Sequence, residues 1–171
     1  MPESGKAAPA EVTTYTHPEM VADVCAPRGW EEDTSGADRG IFIYLSDDVW
    51  NEQFRPNIVL IQRKAAPGTD SLENLAATQG EVEDSFGEQL DEYRLLHLGE
   101  ETVGLQGVPG LQRIASYKNP DGIPLTMFQW IAVYNGTHVD LTITYPTELL
   151  GERAQLILNM GHGLLWKESA K

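Results

Sequence analysis

Between Leu125 and Tyr145, apolar and polar positions alternate on both sides of Asn135-Gly136. Alternation at period two marks a strand with two different faces, and Asn-Gly supplies two residues that tolerate the positive φ of a type I′ turn. A two-residue loop fixes the pairing: Trp130 opposes Leu141, Phe128 opposes Ile143, and Ala132 opposes Val139. The other face carries Met127, Gln129, Ile131 and Val133 opposite Thr144, Thr142, Asp140 and His138. One face of the hairpin is dense core, and the other is half polar.

The same reading extends along the chain. Short strands are expected at 13–16 and 21–25, around a turn at His17-Pro18. Pro27-Arg28-Gly29-Trp30 is a turn with an aromatic anchor, 31–38 a polar loop, and 41–45 a strand. Ser46-Asp47-Asp48 reads as the cap of a short helix through Val49-Trp50-Asn51-Glu52. Residues 57–63 are nearly continuous apolar, which predicts a central strand buried on both faces. A helix is predicted over 71–86, capped by Asp70 with Glu73 completing the start. Its inward stripe is Leu72, Leu75, Ala76, Val82 and Phe86, and Gly80 weakens its middle. Strands at 93–98 and 111–118 and a turn at Asn119-Pro120-Asp121-Gly122 lead into the hairpin. Thr147 is the expected cap of a closing helix, whose stripe is Leu150, Ala154, Ile157, Leu158, Gly161 and Leu165.

Short connections force the last four strands into an antiparallel meander, because parallel pairing needs a long crossover. Each helix must bury its stripe on the sheet. The fold class is therefore α+β: an α/β/α sandwich with a mainly antiparallel sheet. Residues 1–12 read as a disordered tail, 13–171 as a single domain, and 167–171 as dispensable.

Charge narrows the partners. The chain of 171 residues carries 26 acidic and 12 basic side chains, a formal net charge of −14. Phosphate backbones and anionic membranes need a basic face, so nucleic acid is excluded as a non-specific partner and an anionic lipid surface is disfavoured. Cys25 is the single cysteine, which excludes an intrachain disulfide and a cysteine-based zinc site. No apolar run resembles a signal peptide or a transmembrane span, so the expected compartment is the cytoplasm, or the envelope if a native leader has been removed.

Candidate chemistry is sparse. His17, His97, His138 and His162 lack the spacing of a zinc site, and no metal or cofactor is expected. His138 shares a strand face with Asp140, two residues on, which is compatible with a base and its orienting carboxylate. The simpler reading is a polar, solvent-facing strand. His162 sits at a helix end, where a cation suits the dipole. Cys25 as a nucleophile would need a base nearby, and a small buried hydrophobe is the simpler role. The glycine-rich segment 104–110 lacks the lysine and following helix of a phosphate loop. Asn135-Gly136-Thr137 matches a glycosylation sequon, but the hairpin already accounts for it.

Several stretches together resemble a known family. They are Pro27-Arg28-Gly29-Trp30 near the start, Asn57-Ile58-Val59-Leu60 before a loop and acidic helix, and Pro109-Gly110-Leu111-Gln112-Arg113-Ile114 opening a strand. The closing Asn135 to Pro146 segment, followed by a helix, completes the set. In this order, over roughly 21–166, they resemble the Mog1/PsbP-like proteins, and within them the bacterial branch of actinobacterial LpqN/LpqT type. The chain differs from the lipoproteins of that branch in having no apolar leader and no lipobox cysteine ahead of the domain.

The resemblance implies a non-enzymatic protein-binding module: a chaperone, an assembly factor or a regulator, with a protein partner or secreted cargo. It supplies no catalytic residue to carry over. The expected partner face is the half-polar one, with Met127, Gln129, Ile131, Val133, His138, Asp140 and Thr142. The alternative is a small-molecule-binding or enzymatic domain centred on His138 and Asp140. The discriminating feature is whether that face is open or sealed by the chain's own helix.

Overall fold

A computed structural model describes residues 12–47 and 53–168. Strands β1 (Val12–Tyr15), β2 (Ala22–Pro27), β3 (Glu31–Asp33), β4 (Ile41–Leu45) and β5 (Asn57–Lys64) come first. Helices α1 (Leu72–Ala77) and α2 (Gln79–Gln89) follow, then the long strands β6 (Asp91–Val103), β7 (Val108–Lys118), β8 (Pro124–Tyr134) and β9 (Thr137–Pro146). Helix α3 (Leu150–His162) and the short β10 (Leu165–Trp166) close the chain. Seven strands form one sheet in the order β3-β4-β5-β9-β8-β7-β6, antiparallel throughout. The meander β6 to β9 is its larger half.

The hairpin has the predicted register: Trp130 opposite Leu141, Phe128 opposite Ile143, and Ile131 opposite Asp140. Asn135 and Gly136 take φ of 49° and 77°, the left-handed pair that a type I′ turn demands. Because the pairing is right by residue, so are the faces. Phe42, Tyr44, Ile58, Leu60, Trp130, Leu141 and Ile143 are fully buried on one side of the sheet. There they meet Ala22, Val24 and Ala26 of β2, and Ile157, Met160 and Leu164 from α3 and just beyond it. Gly161 belongs to this contact for a steric reason: a Cβ there would stand 2.3 Å from the Trp130 ring. Helices α1 and α2 pack on the opposite side, over β6, β7 and β8. The layers are helix, sheet and helix, as expected.

Several local expectations need correction. The 71–86 helix is two helices with a break at Thr78, not a weak point at Gly80. Thr78 Oγ1 donates to the Leu75 carbonyl at 2.9 Å and Gln79 Nε2 to the same oxygen at 3.0 Å, so side chains compete for the helical acceptor. The cap is Ser71 rather than Asp70; its hydroxyl accepts from the Asn74 amide at 3.1 Å, the third residue on. Thr147 caps nothing: it lies in a 3-10 turn, and its hydroxyl meets that of Thr126 at 2.9 Å. Part of the polar loop 31–38 pairs with β4 as the edge strand β3.

Strand β5 is buried on one face only. Ile58 and Leu60 are fully covered, whereas Ile61 is 40% exposed. Leu165 leaves the closing helix for β10, which pairs with β2 and makes a second sheet in the order β1-β2-β10. Lys167, expected to lie outside the core of the domain, is bonded to it: its amide donates to the Val21 carbonyl, and its ammonium to the His17 carbonyl at 2.8 Å. The glycine-rich turn after β6 clamps this end, with Gln106 bonded to both the amide and the carbonyl of Trp166. Val12, assigned to the tail, begins β1. The short helix expected through Val49-Trp50-Asn51-Glu52 and the rest of the tail lie outside the described residues.

Candidate partner-binding face

Alternation puts Asn57, Val59, Ile61 and Arg63 of β5 on the side of the sheet away from the main core. Pairing aligns them with Thr144, Thr142, Asp140 and His138 of β9, and these in turn with Met127, Gln129, Ile131 and Val133 of β8. On the other flank, Ile43 and Ile41 of β4 oppose Val59 and Ile61. The face is thus one continuous surface from β6 to β3, and the helices lie over one part of it.

Under the helices the face is closed. Ile131, 3% exposed, packs with Leu75, Leu111 and Leu72, and Met127 and Gln129 are buried as well. Three of the seven residues expected to meet a partner are therefore covered by the chain itself. The physical reason is that α1 has an apolar side of its own, centred on Leu75, to bury.

Beside that apolar patch sits a polar network that sequence reasoning missed. Arg113 on β7 is fully buried. Its Nε donates to Glu83 Oε2 at 2.7 Å, Nη1 to Gln129 Oε1 at 2.5 Å, and Nη2 to Gln79 Oε1. The Tyr93 hydroxyl donates to the same Glu83 oxygen at 2.7 Å, and Gln129 Nε2 to Thr142 at 3.1 Å. The guanidinium lies 5.3 Å from the centre of the Phe86 ring, which itself stacks on Tyr93. Burial first, and then the bond to Glu83, push the Tyr93 phenol far above its ordinary value. Each nitrogen of Arg113 has a partner on α2 or β8, so the network fastens α2 to the sheet. A signal was present in the sequence: an arginine between Leu111 and Ala115 on an inward face, with Gln79 and Glu83 one helical turn apart.

Beyond the helices the face opens. Ile61 is 40% exposed, and Ile41, Ile43, Leu45 and Val59 around it are half-buried, as are Val133, His138, Asp140 and Thr142. His138 Nδ1 and Asp140 Oδ1 stand 3.6 Å apart, too far for a hydrogen bond. Asp140 Oδ1 has no hydrogen-bond partner among the described residues. Burial lowers the His138 pKa against the pull of Asp140, with Arg63 adding to the drop. Burial raises Asp140, against the positive groups His138, Arg63 and Arg113. Both groups are pushed toward their neutral forms. Cys25 is on the other side of the sheet, half-buried in β2, and burial raises its thiol rather than activating it.

At the hairpin-turn end of the sheet, toward the β2 side, lies a cleft of about 560 Å³. Its walls include Arg39 at the end of a 3-10 turn and Gly40 after it, Gln62, Arg63 and Lys64 at the end of β5, and Asn135 to Thr137 of the hairpin turn. Backbone bonds from Gln62 to Gly40 at 2.9 Å and from Ala65 to Gly136 at 2.8 Å tie these walls together.

Among the described residues, no helix is long and apolar enough to cross a membrane, and no three His, Cys, Asp or Glu side chains gather as a metal set. No family model matches the chain. No curated protein matches it by sequence. Solved structures do match. The cyanobacterial PsbP of Synechocystis is 13% identical with a TM-score of 0.67, covering 95% of this chain and 96% of that one. LpqN of Mycobacterium tuberculosis, described as involved in cell envelope biogenesis, is 15% identical with a TM-score of 0.65, covering 92% and 91%. The Ran-binding protein Mog1p of Saccharomyces cerevisiae is 17% identical with a TM-score of 0.52, covering 90% and 85%. The strand order, the helices on both sides and these likenesses agree: the chain has the Mog1/PsbP-like α+β fold.

Proposed function

We propose that the chain is a non-enzymatic protein-binding module, acting as a chaperone, assembly or regulatory factor, and that its partner docks on the open part of the helix-side sheet face. The observation that carries the reading is the exposure of Ile61, among half-buried Ile41, Ile43, Leu45 and Val59 on the strands beyond α1 and α2. A contiguous apolar surface on a soluble fold is an interaction surface or a liability. Val133, His138, Asp140 and Thr142 border it and would set the register of the partner by polar contacts. The analogy is consistent: one structural relative binds the protein Ran, and another takes part in building a cell envelope. Fold analogy alone does not name the partner.

The test compares two photo-crosslinking positions. A benzophenone side chain at Ile61 is expected to give a discrete cross-linked protein in cells, whereas one at Leu105, 66% exposed on a distant turn, gives none. Ile61→Asp should also abolish co-purification of that protein. Equal cross-linking from both positions, or unchanged co-purification, would refute the docking face. A parallel screen with esterase, phosphatase and oxidoreductase substrates should show no turnover that depends on His138.

A further inference from the structure

The helical layer over this face stops partway across the sheet. Helix α2 lies over β6, and α1 over β7 and β8. Packed helices stand about 8–10 Å apart and neighbouring strands about 4.8 Å, so one helix covers two strands. The next position in the layer therefore falls over β9 and β5, on the row that carries Val59 and Ile61. Ile61 is 40% exposed there, with Ile41 and Ile43 of β4 beside this row. The floor of that position is aliphatic, as it is under α1, where Leu72 and Leu75 meet Leu111 and Ile131.

Three kinds of occupant compete for that position. Strand addition needs a free sheet edge, and the edge strand on this flank, β3, has only 3 residues. A second copy of the chain would bring a net charge of −14 against the same charge. A helix from another protein fits both the spacing and the floor, and the neighbouring charges set its flanks. From Ala65 to Tyr93, the segment that holds α1 and α2, the chain has eight acidic side chains and no Lys, Arg or His. Glu83 and Glu92 meet Arg113 and Lys118. Asp70 and Glu73 are exposed just before and within α1, the helix that adjoins the open position. Across the face, Glu31 and Asp33 of β3 stand opposite Leu45 and Ile43, on the same side of the sheet. Glu31 is paired with Arg55, whereas bonds from Ser35 hold the Asp33 carboxyl below the usual range and so ionised. Arg63 adds a countercharge at the hairpin-turn end of β5.

We propose that the partner docks through an amphipathic α-helix that completes this layer beside α1, with an aliphatic stripe on Val59 and Ile61 and with Lys and Arg along its flanks. This rests on the docking reading above and adds the form and charge of the docking segment. Anchors in such a helix recur at i, i+3, i+4 and i+7. Strand β5 has 8 residues, about 26 Å of sheet, which five turns of helix, about 27 Å, would span. At physiological salt the Debye length is about 8 Å, so the flanks of the helix feel these acidic neighbours at contact range.

The probes are three fluorescein-labelled synthetic peptides of about 18 residues, five helical turns, measured by fluorescence anisotropy. One has Leu at helical spacing with Lys elsewhere, and one has the same stripe with Glu. The third rearranges the Leu and Lys of the first into strict alternation. The wild-type protein should bind the helical Lys peptide about tenfold more tightly than either of the others, the scale of a few modest contacts. Ile61→Asp should abolish that binding, and Ile61→Ser weaken it, although the first adds negative charge; plain attraction of Lys to an acidic protein would move the other way. Asp33→Asn/Glu73→Gln should narrow the preference for Lys over Glu. Equal binding of the Lys and Glu helices, both lost in Ile61→Asp, would overturn the basic-helix assignment and leave the docking face standing. An alternating peptide that binds as tightly as the helical one would give the face to an extended segment and overturn the proposal in the same way. Helical Lys binding unaffected by Ile61→Asp would sink the docking face itself. A wild-type dimer in light scattering that Ile61→Asp makes monomeric would give the face to a second copy and overturn the proposal, as would failure of the helical Lys peptide to bind.

Discussion

On one side of the seven-stranded sheet, Phe42, Tyr44, Ile58, Leu60, Trp130 and Leu141 are covered without interruption by β2 and α3. On the other, Ile131 is covered by α1, Arg113 is tied to α2, and Ile61 is exposed. The same strands make both surfaces, and their periodicity is the same. What differs is the length of partner available: α1 and α2 rest on β6, β7 and β8, and the remaining strands present their alternate side chains outward. A strand position is therefore core or surface according to what lies above it, even when its neighbours along the strand look alike.

The sharpest way to break that contrast is to place one charge at two positions of one face. Ile131 and Ile61 both neighbour Asp140, on β8 and β5 respectively. Ile131→Asp buries an unpaired charge beside another carboxylate and should cost more than about 4 kcal/mol, enough to unfold many domains. Ile61→Asp, at an exposed site, should change stability by about 0.5 kcal/mol or less while removing partner binding. Chemical denaturation of the two variants measures both. Similar losses would mean that the face is closed over β5 as it is over β8.

The buried network gives the next largest effect. Arg113→Met leaves Glu83, Gln79 and Gln129 without their common donor and should cost about 3 kcal/mol, the low end for a broken buried pair because Glu83 is partly exposed. Adding Glu83→Leu should restore most of that loss, since an apolar pair of similar volume removes the stranded carboxylate. A double variant no better than the single one would mean that the network carries more than its ion pair.

The hairpin turn comes third. Gly136→Val puts a β-branched side chain at φ 77° and should cost about 1–3 kcal/mol, read as a lower melting temperature. An unchanged melting temperature would remove the turn geometry on which both faces depend.

The smallest effect is a pH dependence at the border of the open region. The folded-state pKa of His138 is lowered by burial, so on acidification the unfolded chain takes up its proton first, from about pH 6.5. Stability attributable to His138 is therefore present above that value and lost as pH falls below it, until the folded pKa is reached. Asp140 acts in the opposite sense: its raised pKa means the folded protein protonates first, and stability is gained as pH falls toward the unfolded carboxylate value. His138→Gln should lose less melting temperature than the wild type between pH 7.5 and 5.5. An identical slope would mean that His138 is solvated in the folded state.

The sequence by itself determined the hairpin, its register and the apolar face, because Asn135-Gly136 admits one tight turn and a period of two then fixes every side chain. It also determined the meander and the two-sided helical layering, since those follow from connection length and from stripes that must be buried. It did not determine the break at Thr78, the excursion of Leu165 and Trp166 to β2, or the burial of Arg113. Each of these depends on a contact between residues distant in sequence, or on a side chain competing with the backbone. Nor could alternation reveal how far α1 and α2 reach across the sheet. Met127 and Ile131 have the same pattern as Val133, yet tertiary packing covers the first two and leaves Val133 half-buried. Periodicity says which residues share a face; only the placed helices decide how much of that face meets water.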